Sequence, residues 1–445
     1  MRNVLRCRRG SAAFATAVAM IPMIGALALG GEAGGWYVTQ QRAQNAADAA
    51  AYSGALRVAC TIAGGVGCDT AQDYIYRGKQ FAAQNTFCNS GDTSYPGSKC
   101  STSLPTGISQ NVQIASLSSW GGTAGSYVQA TVSQTQPTYM AKLVGVSTVT
   151  IGAVAVAAIK NPTNPCVLAL NGPISFQDNG ISVNSPNCGF ASNFTGPGAS
   201  IDFKNVSSGN VSLGASQASG TCTGTAALCQ NVSTYMPPVV DPYTALNAAL
   251  SSLSLPACGA GPGGAPVAYT VATPCANKDY SINGSTCSAG CTLSGTYFFS
   301  GTDFSMKGNS SSLVAGAAGA TIILLPGVAT GKSNHINMTL KAPNTTPAAL
   351  PASLQPYAAL IGATAIYDTE TDAKKFTGIT TITITNGIMY YPNQSLTFSG
   401  NSSIDVNGCS ELIAKQITFA GSVNFTQKGC PKTALPTSQL VRLVQ

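Results

Sequence analysis

Residues 395–427 read SLTFSGNSSIDVNGCSELIAKQITFAGSVNFTQ, and their spacing decides the predicted fold of most of the chain. Apolar residues recur in pairs separated by one residue, at Leu396/Phe398, Ile404/Val406, Ile417/Phe419 and Val423/Phe425. Each pair predicts a strand of about three to five residues, with alternate side chains on opposite faces. The Gly, Asn and Ser residues between the pairs favour turns. Many very short strands joined by such corners are typical of a parallel β-helix, whose coils stack on one another.

The same pattern extends upstream to residue 174. It recurs at Ile174/Phe176, Ile181/Val183, Ile201/Phe203, Val211/Leu213, Phe304/Met306, Ile336/Met338/Leu340 and Ile382/Ile384. We therefore predict a right-handed parallel β-helix over residues 166–430, with about eleven coils of roughly 20–25 residues. A β-sandwich is the alternative, although it would show longer strands and clearer two-residue turns. Residues 237–274 and 348–359 interrupt the rhythm, and we expect them to form surface excursions that carry binding.

Composition supports a mostly β protein outside the cytoplasm. Charged residues make up 8% of the 445 residues, compared with about 25% in an ordinary soluble domain. The chain contains 48 glycines without a three-residue period, which excludes collagen. Its low charge excludes a long coiled coil, and its 44% hydrophobic content excludes a disordered tail.

Basic residues are concentrated at the N-terminus. The formal net charge is +7, and Arg2, Arg6, Arg8 and Arg9 supply four of the positive charges within nine residues. Nucleic-acid binding would need Lys and Arg clustered on a folded face, so the sequence does not predict a nucleic-acid partner.

An uncharged run of 21 residues follows these arginines (SAAFATAVAMIPMIGALALGG), beginning at Ser11 and ending at Gly31. As a helix it would rise about 31 Å, which matches the hydrocarbon core of a bilayer. Glu32 ends the run, and Trp36 and Tyr37 follow at the depth of an interfacial aromatic belt. We predict a cytoplasmic basic segment at residues 1–10 and a single transmembrane helix at 11–35, with the rest outside. A cleaved signal peptide is the alternative, because Ala26-Leu27-Ala28 is an A-x-A-like site.

The helix is predicted to continue beyond the membrane. Residues 37–58 contain no proline, and small residues recur at helical spacing at Ala43, Ala46, Ala47, Ala50 and Gly54. We expect this small-residue stripe, together with the region of Pro22, to recruit partner helices in the membrane.

Two short motifs resemble a known family. Arg8-Arg9-Gly10-Ser11 precedes the apolar run, and Gln41-Arg42-Ala43-Gln44-Asn45-Ala46-Ala47-Asp48-Ala49-Ala50-Ala51 follows it. This arrangement resembles the N-terminal segment of the TadG-like proteins of bacterial Flp (tight-adherence) pilus-assembly systems. The resemblance implies an inner-membrane location and pilus-assembly or other envelope proteins as partners. The chain carries Glu32 where an aspartate is common in that family. The fifth residue after Gly10 is Ala15 rather than the glutamate of processed pilins, so we expect an uncleaved anchor.

Residues 36–160 are predicted to form the continued helix and a small pilin-like α+β domain. Asp69 is expected to cap a helix over 69–87, with Tyr74, Ile75, Phe81 and Ala82 as its apolar residues. Alternating patterns predict strands at 111–117, 126–132 and 147–157, with a helical patch at 139–144. Residues 431–445 are expected to form a tail.

Fifteen cysteines indicate an oxidising compartment. Cys7 stands alone, and the other fourteen form an even set for which we expect disulfides between sequence neighbours, such as Cys60–Cys68, Cys88–Cys100 and Cys409–Cys430. The alternative is an all-thiolate metal site, although no CxxC pair is present. The disulfide candidates are Cys60, Cys68, Cys88, Cys100, Cys166, Cys188, Cys222, Cys229, Cys258, Cys275, Cys287, Cys291, Cys409 and Cys430.

Catalytic motifs are absent from the sequence. The single histidine, His335, lies in an alternating segment without an acidic neighbour. Asp368, Glu370 and Asp372 are the densest acidic group and are weak candidates for Ca²⁺ binding or for a β-helix polysaccharide lyase or hydrolase. We favour a solvated loop whose charges are balanced by Lys374 and Lys375.

Two functions follow from these observations. The first is a structural or adhesive role in the envelope, associated with Flp/Tad-type pilus assembly, without catalysis or cofactor. Membrane lipid, pilus-assembly proteins and surface glycans are the expected partners. The alternative is an envelope carbohydrate-binding protein or polysaccharide-active enzyme built on the β-helix.

Overall fold

The computed structural model describes residues 8–62, 69, 71–89, 92, 94–100, 104–160, 165–259, 261, 265–282, 291–301, 303–306, 312–330, 337–347, 349–371, 374–376, 381–400, 403–406, 410–427 and 440–444. The fold is mostly β, with one long apolar helix at the N-terminus. The chain divides into two compact units. The first comprises Met1–Thr61, Asp69–Lys160 and Val441–Gln445, and the second comprises Ile62–Cys68 and Asn161–Leu440.

The first unit contains two α-helices and a four-stranded sheet. Its elements are α1 (Arg8–Ile62), α2 (Tyr74–Gln84), β1 (Ser109–Trp120), β2 (Thr123–Pro137), a 3₁₀ turn (Ala141–Val144) and β3 (Thr148–Lys160). The three predicted strands and the predicted helical patch are confirmed, and the strands are longer than expected. β1 pairs antiparallel with β2, and β2 pairs antiparallel with β3.

Helix α1 is 55 residues long, which corresponds to about 80 Å at 1.5 Å per residue. Pro22 lies inside it without ending it. Its apolar part is long and apolar enough to cross a membrane, judged by length and composition, and none of that stretch is buried within the structure. The continuous helix therefore combines an exposed apolar segment with a segment that packs on the sheet.

Helix α2 differs in detail from the prediction. Asp73, not Asp69, is the N-cap, and its carboxylate accepts from the backbone N–H of Tyr76 at 2.7 Å. Asp69 instead forms an ion pair with Arg77. The expected apolar face is also wrong at two of its residues, because Ile75 and Phe81 are exposed. The buried face instead consists of Gly78, Gln80, Ala82 and Ala83. Gly78 lies against α1, where an added Cβ would be 3.2 Å from the carbonyl of Ala50.

The C-terminal residues return to the first unit. The strand β25 (Leu440–Leu443) joins the sheet next to β3, and the backbone N–H of Val444 donates to the carbonyl of Val156 at 2.8 Å. Leu440 and Val441 are buried. Residues 440–444 of the predicted tail therefore join the sheet, whereas 431–439 lie outside the described residues. The second unit is inserted in the chain between β3 and β25.

Within the described residues, the second unit consists of strands of 2 to 18 residues and three short helices. Its first strands are β4 (Pro165–Ala169), β5 (Ile174–Phe176), β6 (Ser182–Ser185), β7 (Gly189–Ser192), β8 (Ala199–Asp202), β9 (Val211–Leu213), β10 (Ser216–Ala218), β11 (Thr221–Thr223) and β12 (Val232–Ser233). The next are β13 (Tyr280–Ile282), β14 (Cys291–Phe299), β15 (Asp303–Met306), β16 (Ser312–Leu324), β17 (Ala329–Thr330), β18 (Asn337–Lys341) and β19 (Thr364–Asp368). The last are β20 (Lys374–Phe376), β21 (Thr381–Phe398), β22 (Ser403–Val406), β23 (Ser410–Phe419) and β24 (Asn424–Gln427). The helices are α3 (Ala226–Cys229), α4 (Thr244–Ser251) and α5 (Ala358–Ala363), with 3₁₀ turns at Ser208–Asn210 and Ala352–Tyr357.

Among the described residues, every strand pairing of the second unit is parallel. Equivalent strands stack in rows, so that side chains in the same position form ladders. One ladder points inward and contains Phe190, Val167, Leu412, Met389, Ile366, Ile322 and Tyr297. A sandwich of hairpins would instead place its strands antiparallel.

Stacked phenylalanines run through the interior. The rings of Phe398 and Phe419 lie 5.6 Å apart, those of Phe419 and Phe176 5.1 Å, and those of Phe176 and Phe203 4.8 Å, with interplanar angles of 16–17°. All four side chains are buried. The apolar pairs at 396/398, 417/419 and 174/176 thus place their phenylalanines above one another in successive rows.

The rows do not follow the order of the chain. The C-terminal strand β23 pairs with β4 and β5 at the start of the unit, and β24 pairs with β6. The stack therefore runs from β14 through β16, β19, β21 and β23 to β4, β7, β10 and β12. This ladder contains nine rows within the described part of the chain, compared with the expected eleven coils. Both ends of the inserted unit consequently lie on neighbouring rows.

Residues 234–279, which we call the strap, connect the two ends of the stack. At one end the backbone N–H of Met236 donates to Ala218 in β10, and at the other the backbone N–H of Asn277 donates to Phe298 in β14. Between them α4 and residues 350–363 cover an outward ladder that includes Leu168, Ile413, Tyr390, Tyr367, Ile323 and Phe298. The two predicted excursions therefore cover one side of a second hydrophobic core, which they form together with the outward ladder.

Four disulfides are present among the described residues, and all join sequence neighbours as predicted. They are Cys88–Cys100, Cys166–Cys188, Cys222–Cys229 and Cys258–Cys275, with Cα–Cα distances of 4.9–6.2 Å. Cys60 is also disulfide-bonded. Cys7, Cys68, Cys287, Cys409 and Cys430 lie outside the described residues.

Candidate functional site

In the first unit, Glu32 of α1 binds the backbone of residues 139–141 in the β2–β3 loop, and we call this contact the clasp. The carboxylate of Glu32 accepts three backbone hydrogen bonds, from Tyr139 at 2.7 Å and from Met140 and Ala141 at 3.0 Å each. These N–H groups belong to the start of the 3₁₀ turn, where no helical partner is available to them. The first acidic residue after the apolar run therefore fixes the loop at one height along α1.

A groove of about 440 Å³ lies beside this clasp. Helix α1 contributes Ala28, Gly31 and Trp36 to its lining, and the end of β2 contributes Gln136 and Pro137. Further along the helix, the side-chain amide of Gln40 donates to the carbonyl of Gly152 in β3 at 3.0 Å. The loop thus lies beside the part of α1 between Ala28 and Trp36. Ala28 belongs to the uncharged run of residues 11–31.

The alanine-rich family motif packs inside the first unit. Ala46, Ala47, Ala50 and Ala51 are completely buried, whereas Gln44, Asp48 and Ala49 are half-buried. The amide of Gln44 donates to the carboxylate of Asp48 at 2.8 Å, one turn along the helix.

Glycines allow α1 and α2 to approach each other closely at this motif. A Cβ added at Gly54 would lie 3.1 Å from Val128 of β2, and one added at Gly78 would lie 2.8 Å from Ile114 of β1 and 3.2 Å from the carbonyl of Ala50. The small residues therefore bring α1, α2 and the sheet together. The expectation that this stripe recruits partner helices is wrong, because the protein's own sheet and α2 cover it.

The exposed surface of α1 lies upstream of the motif. Val18, Met20, Met23 and Ile24 are exposed apolar residues in the segment that is long enough to cross a membrane. Tyr37 is 65% exposed, and Trp36 is half-buried in the groove. Arg2 and Arg6 lie outside the described residues, and α1 begins at Arg8 and Arg9. Val18, Met20, Met23 and Ile24 therefore lie before Glu32, in the apolar segment that is long enough to cross a membrane.

The predicted acidic group does not form a solvated loop. Asp368 is completely buried at the end of β19, and its carboxylate accepts from the backbone N–H of Glu370 at 3.1 Å. The carboxylate of Glu370 accepts from the backbone N–H of Gly327 at 3.2 Å. Asp372 and His335 lie outside the described residues. The expectation of a solvated position is wrong for Asp368, because Asp368 lies on the inward face of its strand with Ile366 and is removed from solvent. The side chains of Lys374 and Lys375 lie outside the described residues, so their balancing charge stays a prediction.

A hydrogen-bonded cluster beneath the strap was not predicted. The hydroxyl of Tyr367 donates to Asn247 at 2.7 Å, the amide of Asn247 donates to Tyr390 at 2.6 Å, and the hydroxyl of Tyr390 donates to Asp241 at 2.7 Å. The rings of Tyr243 and Tyr390 stack 3.9 Å apart. Burial raises the pKa of the Asp241 carboxyl, and the hydrogen bonds from Tyr243 and Tyr390 oppose that shift only in part.

Glu411 lies in the same core without a hydrogen-bond partner for either carboxyl oxygen among the described residues. It is 1% exposed, and burial, with the nearby charge of Asp241, raises its pKa well above the ordinary range. A cavity of about 10 Å³ beside it has room for about one water molecule. The hydrogen bonds and stacked rings of the cluster therefore hold the strap on the stack. The only signal in the sequence was a carboxylate directly before the apolar residues Leu412, Ile413 and Ala414.

Comparison with known proteins identifies one part of the chain. Residues 10–57 match the family model of TadE/G-like Flp pilus-assembly proteins (Tad). No curated protein and no solved structure matches the chain. The matched residues cover the apolar segment of α1, the clasp residue and the buried alanine motif.

Proposed function

From this TadE/G-like segment, we propose that the protein is a single-pass, membrane-anchored envelope component that works with a Flp/Tad-type pilus-assembly system. The observation that carries the proposal is the match at residues 10–57, which coincides with the apolar half of α1 and the motif that seats the helix on its sheet. The N-terminal arginines would remain in the cytoplasm of a bacterial inner membrane, and both compact units would lie outside it.

We further propose that the second unit is a right-handed parallel β-helix and that the first unit is pilin-like. The parallel pairings and the inward ladders support the first assignment. The long helix packed on an antiparallel sheet supports the second. The disulfides agree with a location in the periplasm or outside the cell.

The role we propose is structural and adhesive, without catalysis. The strap and its carboxyl cluster would keep the stack rigid, and the remaining faces of the rows would meet pilus-assembly proteins, other envelope components or surface glycans. The proposal needs no cofactor. The burial of Asp241, Asp368 and Glu411 supports a structural use of these acids.

Deletion strains test this function. A clean deletion should reduce piliation, counted by electron microscopy, and surface adhesion, measured by retention on glass. A second strain that keeps residues 1–160 and 441–445 but replaces 161–440 with a flexible linker separates the anchor from the inserted unit. We expect this strain to lose adhesion. Normal pili and normal adhesion in the clean deletion would exclude the proposed role.

A further inference from the structure

The loop between β2 and β3 carries an unusual set of side chains for a surface connection. Residues 139–146 read YMAKLVGV, and Tyr139 is 75% exposed and Leu143 82% exposed. Met140 and Val146 are also exposed, at 37% and 45%. Lys142 is exposed between them. The loop therefore presents large apolar side chains and one cation to its surroundings.

The loop is ordered by its own hydrogen bonds. The backbone N–H of Thr138 donates to Ser147 at 3.1 Å, and the N–H of Val146 donates to Ala141 at 3.1 Å. Gly145 closes the 3₁₀ turn with a φ of 91°, a conformation that glycine adopts without steric cost. Ala141 and Thr138 are buried beneath the turn. The exposed side chains are thus displayed by a folded turn and have no core residues to pack on.

The clasp places this turn at the end of the apolar run of α1. Glu32, which binds the start of the turn, immediately follows the 21 uncharged residues 11–31. The groove between loop and helix reaches Ala28, about one helical turn before Glu32. Trp36 and Tyr37 lie about 6–8 Å beyond Glu32, where aromatic side chains mark a membrane interface.

We propose that the β2–β3 loop is a second membrane contact, in which Tyr139, Leu143 and Val146 enter the outer boundary between headgroups and acyl chains of the bilayer that α1 spans. Lys142 then lies at the depth of the lipid phosphates, where a cation is attracted by anionic headgroups. This inference rests on the proposed membrane anchor. Lipid is the favoured occupant because the loop surface is continuous with the exposed apolar surface of α1.

Depth-dependent fluorescence quenching tests the contact in the full-length protein. The protein has two tryptophans, Trp36 and Trp120. Trp120 lies at the β1–β2 turn, and the 15 residues of β2 separate that turn from the 139–146 loop by about 50 Å. Three proteins with one tryptophan each are reconstituted into phosphatidylethanolamine–phosphatidylglycerol vesicles, with or without bromine on the upper acyl chain. They are Trp120→Phe, Trp36→Phe, and Leu143→Trp in the double Trp36→Phe/Trp120→Phe background.

We expect brominated lipid to reduce the emission of the Leu143→Trp probe about as strongly as that of Trp36, and to leave Trp120 unchanged. A second probe, Tyr139→Trp in the same background, should be quenched as well. Quenching of Trp36 without quenching of either loop probe would overturn the proposal and would assign the exposed side chains to a protein partner. Absence of quenching at Trp36 would instead overturn the membrane anchor, and the loop contact with it.

Discussion

Replacing Phe176 and Phe419 by leucine tests the order of the rows, because these two residues are 243 positions apart in the chain but stack at 5.1 Å. Phe→Ala at such sites costs about 3–5 kcal/mol each, so two alanines would approach the whole stability of a domain. Leucine keeps each site apolar, and we expect each single variant to lose about 1–3 kcal/mol of unfolding free energy.

The informative quantity is the coupling between the two substitutions. A pair of aromatic rings in contact contributes about 0.5–1.5 kcal/mol beyond its buried area, so Phe176→Leu and Phe419→Leu should be non-additive by that amount. The matched control combines Phe176→Leu with Phe304→Leu. Phe304 is equally buried and contacts Phe299 edge-to-face at 4.9 Å rather than Phe176, so we expect additivity to within about 0.5 kcal/mol.

Urea unfolding of the full-length protein in detergent, followed by far-ultraviolet circular dichroism, gives the free energies. Hydrogen exchange localises the effect: Phe419→Leu should accelerate exchange of the amides in β5, which pairs with β23 through Thr418 and Ser175. Rows that followed the order of the chain would leave β5 unaffected by this substitution. Additive energies together with unchanged exchange in β5 would refute the stacking of the C-terminal rows on the first rows.

Three further perturbations test other parts of the fold. Burial raises the pKa of Glu411 above its ordinary value, so the native state keeps a proton at pH values where the unfolded chain has released it. The free energy of unfolding is therefore highest below the ordinary pKa of a glutamate and falls as the pH rises towards the raised pKa of the native state. Glu411→Gln should therefore flatten the decline of the urea midpoint from pH 5 to pH 8, and an unchanged slope would contradict the buried carboxyl. Gly78→Val should destabilise the first unit by about 1–3 kcal/mol in thermal unfolding, because an added Cβ meets Ile114 at 2.8 Å, and a neutral effect would contradict the helix contact. Replacing both Cys166 and Cys188 by serine opens a loop of 22 residues and should cost about 2–4 kcal/mol in the same assay, with equal stability of wild type and variant under reducing conditions as the control.

Local patterns account for the features that could be predicted. The run from Ser11 to Gly31 predicted the exposed apolar helix because membrane span depends only on hydropathy and length. The alternation at 111–117 and 126–132 predicted strands because each strand has one buried face. The cysteines that form disulfides are 7–22 residues apart, and each bonds to its neighbour in sequence because a short loop keeps the two close together.

The remaining features depend on long-range partners that no local pattern specifies. Ile417/Phe419 and Ile174/Phe176 have the same spacing as every other pair, so the pattern cannot indicate which row lies next to which. The alanine stripe predicted a closely packed helix face, but the spacing of Ala46 and Ala50 is equally compatible with the protein's own sheet and with another chain. The strap was predicted as a surface excursion because its leucines become buried only against the outward ladder.

The strap also constrains how such a protein can change in length during evolution. Ordinary solenoids lengthen by duplication of a repeat, since each coil contacts only its neighbours. Here residues 234–279 are attached at both ends of the stack, so every added coil moves those attachment points apart by about 4.8 Å. A duplication would therefore need a compensating insertion of about two residues in the strap, or it would detach α4 from the outward ladder. Sequence variation among descendants of this chain should accordingly accumulate as loops between rows, while the number of rows stays constant.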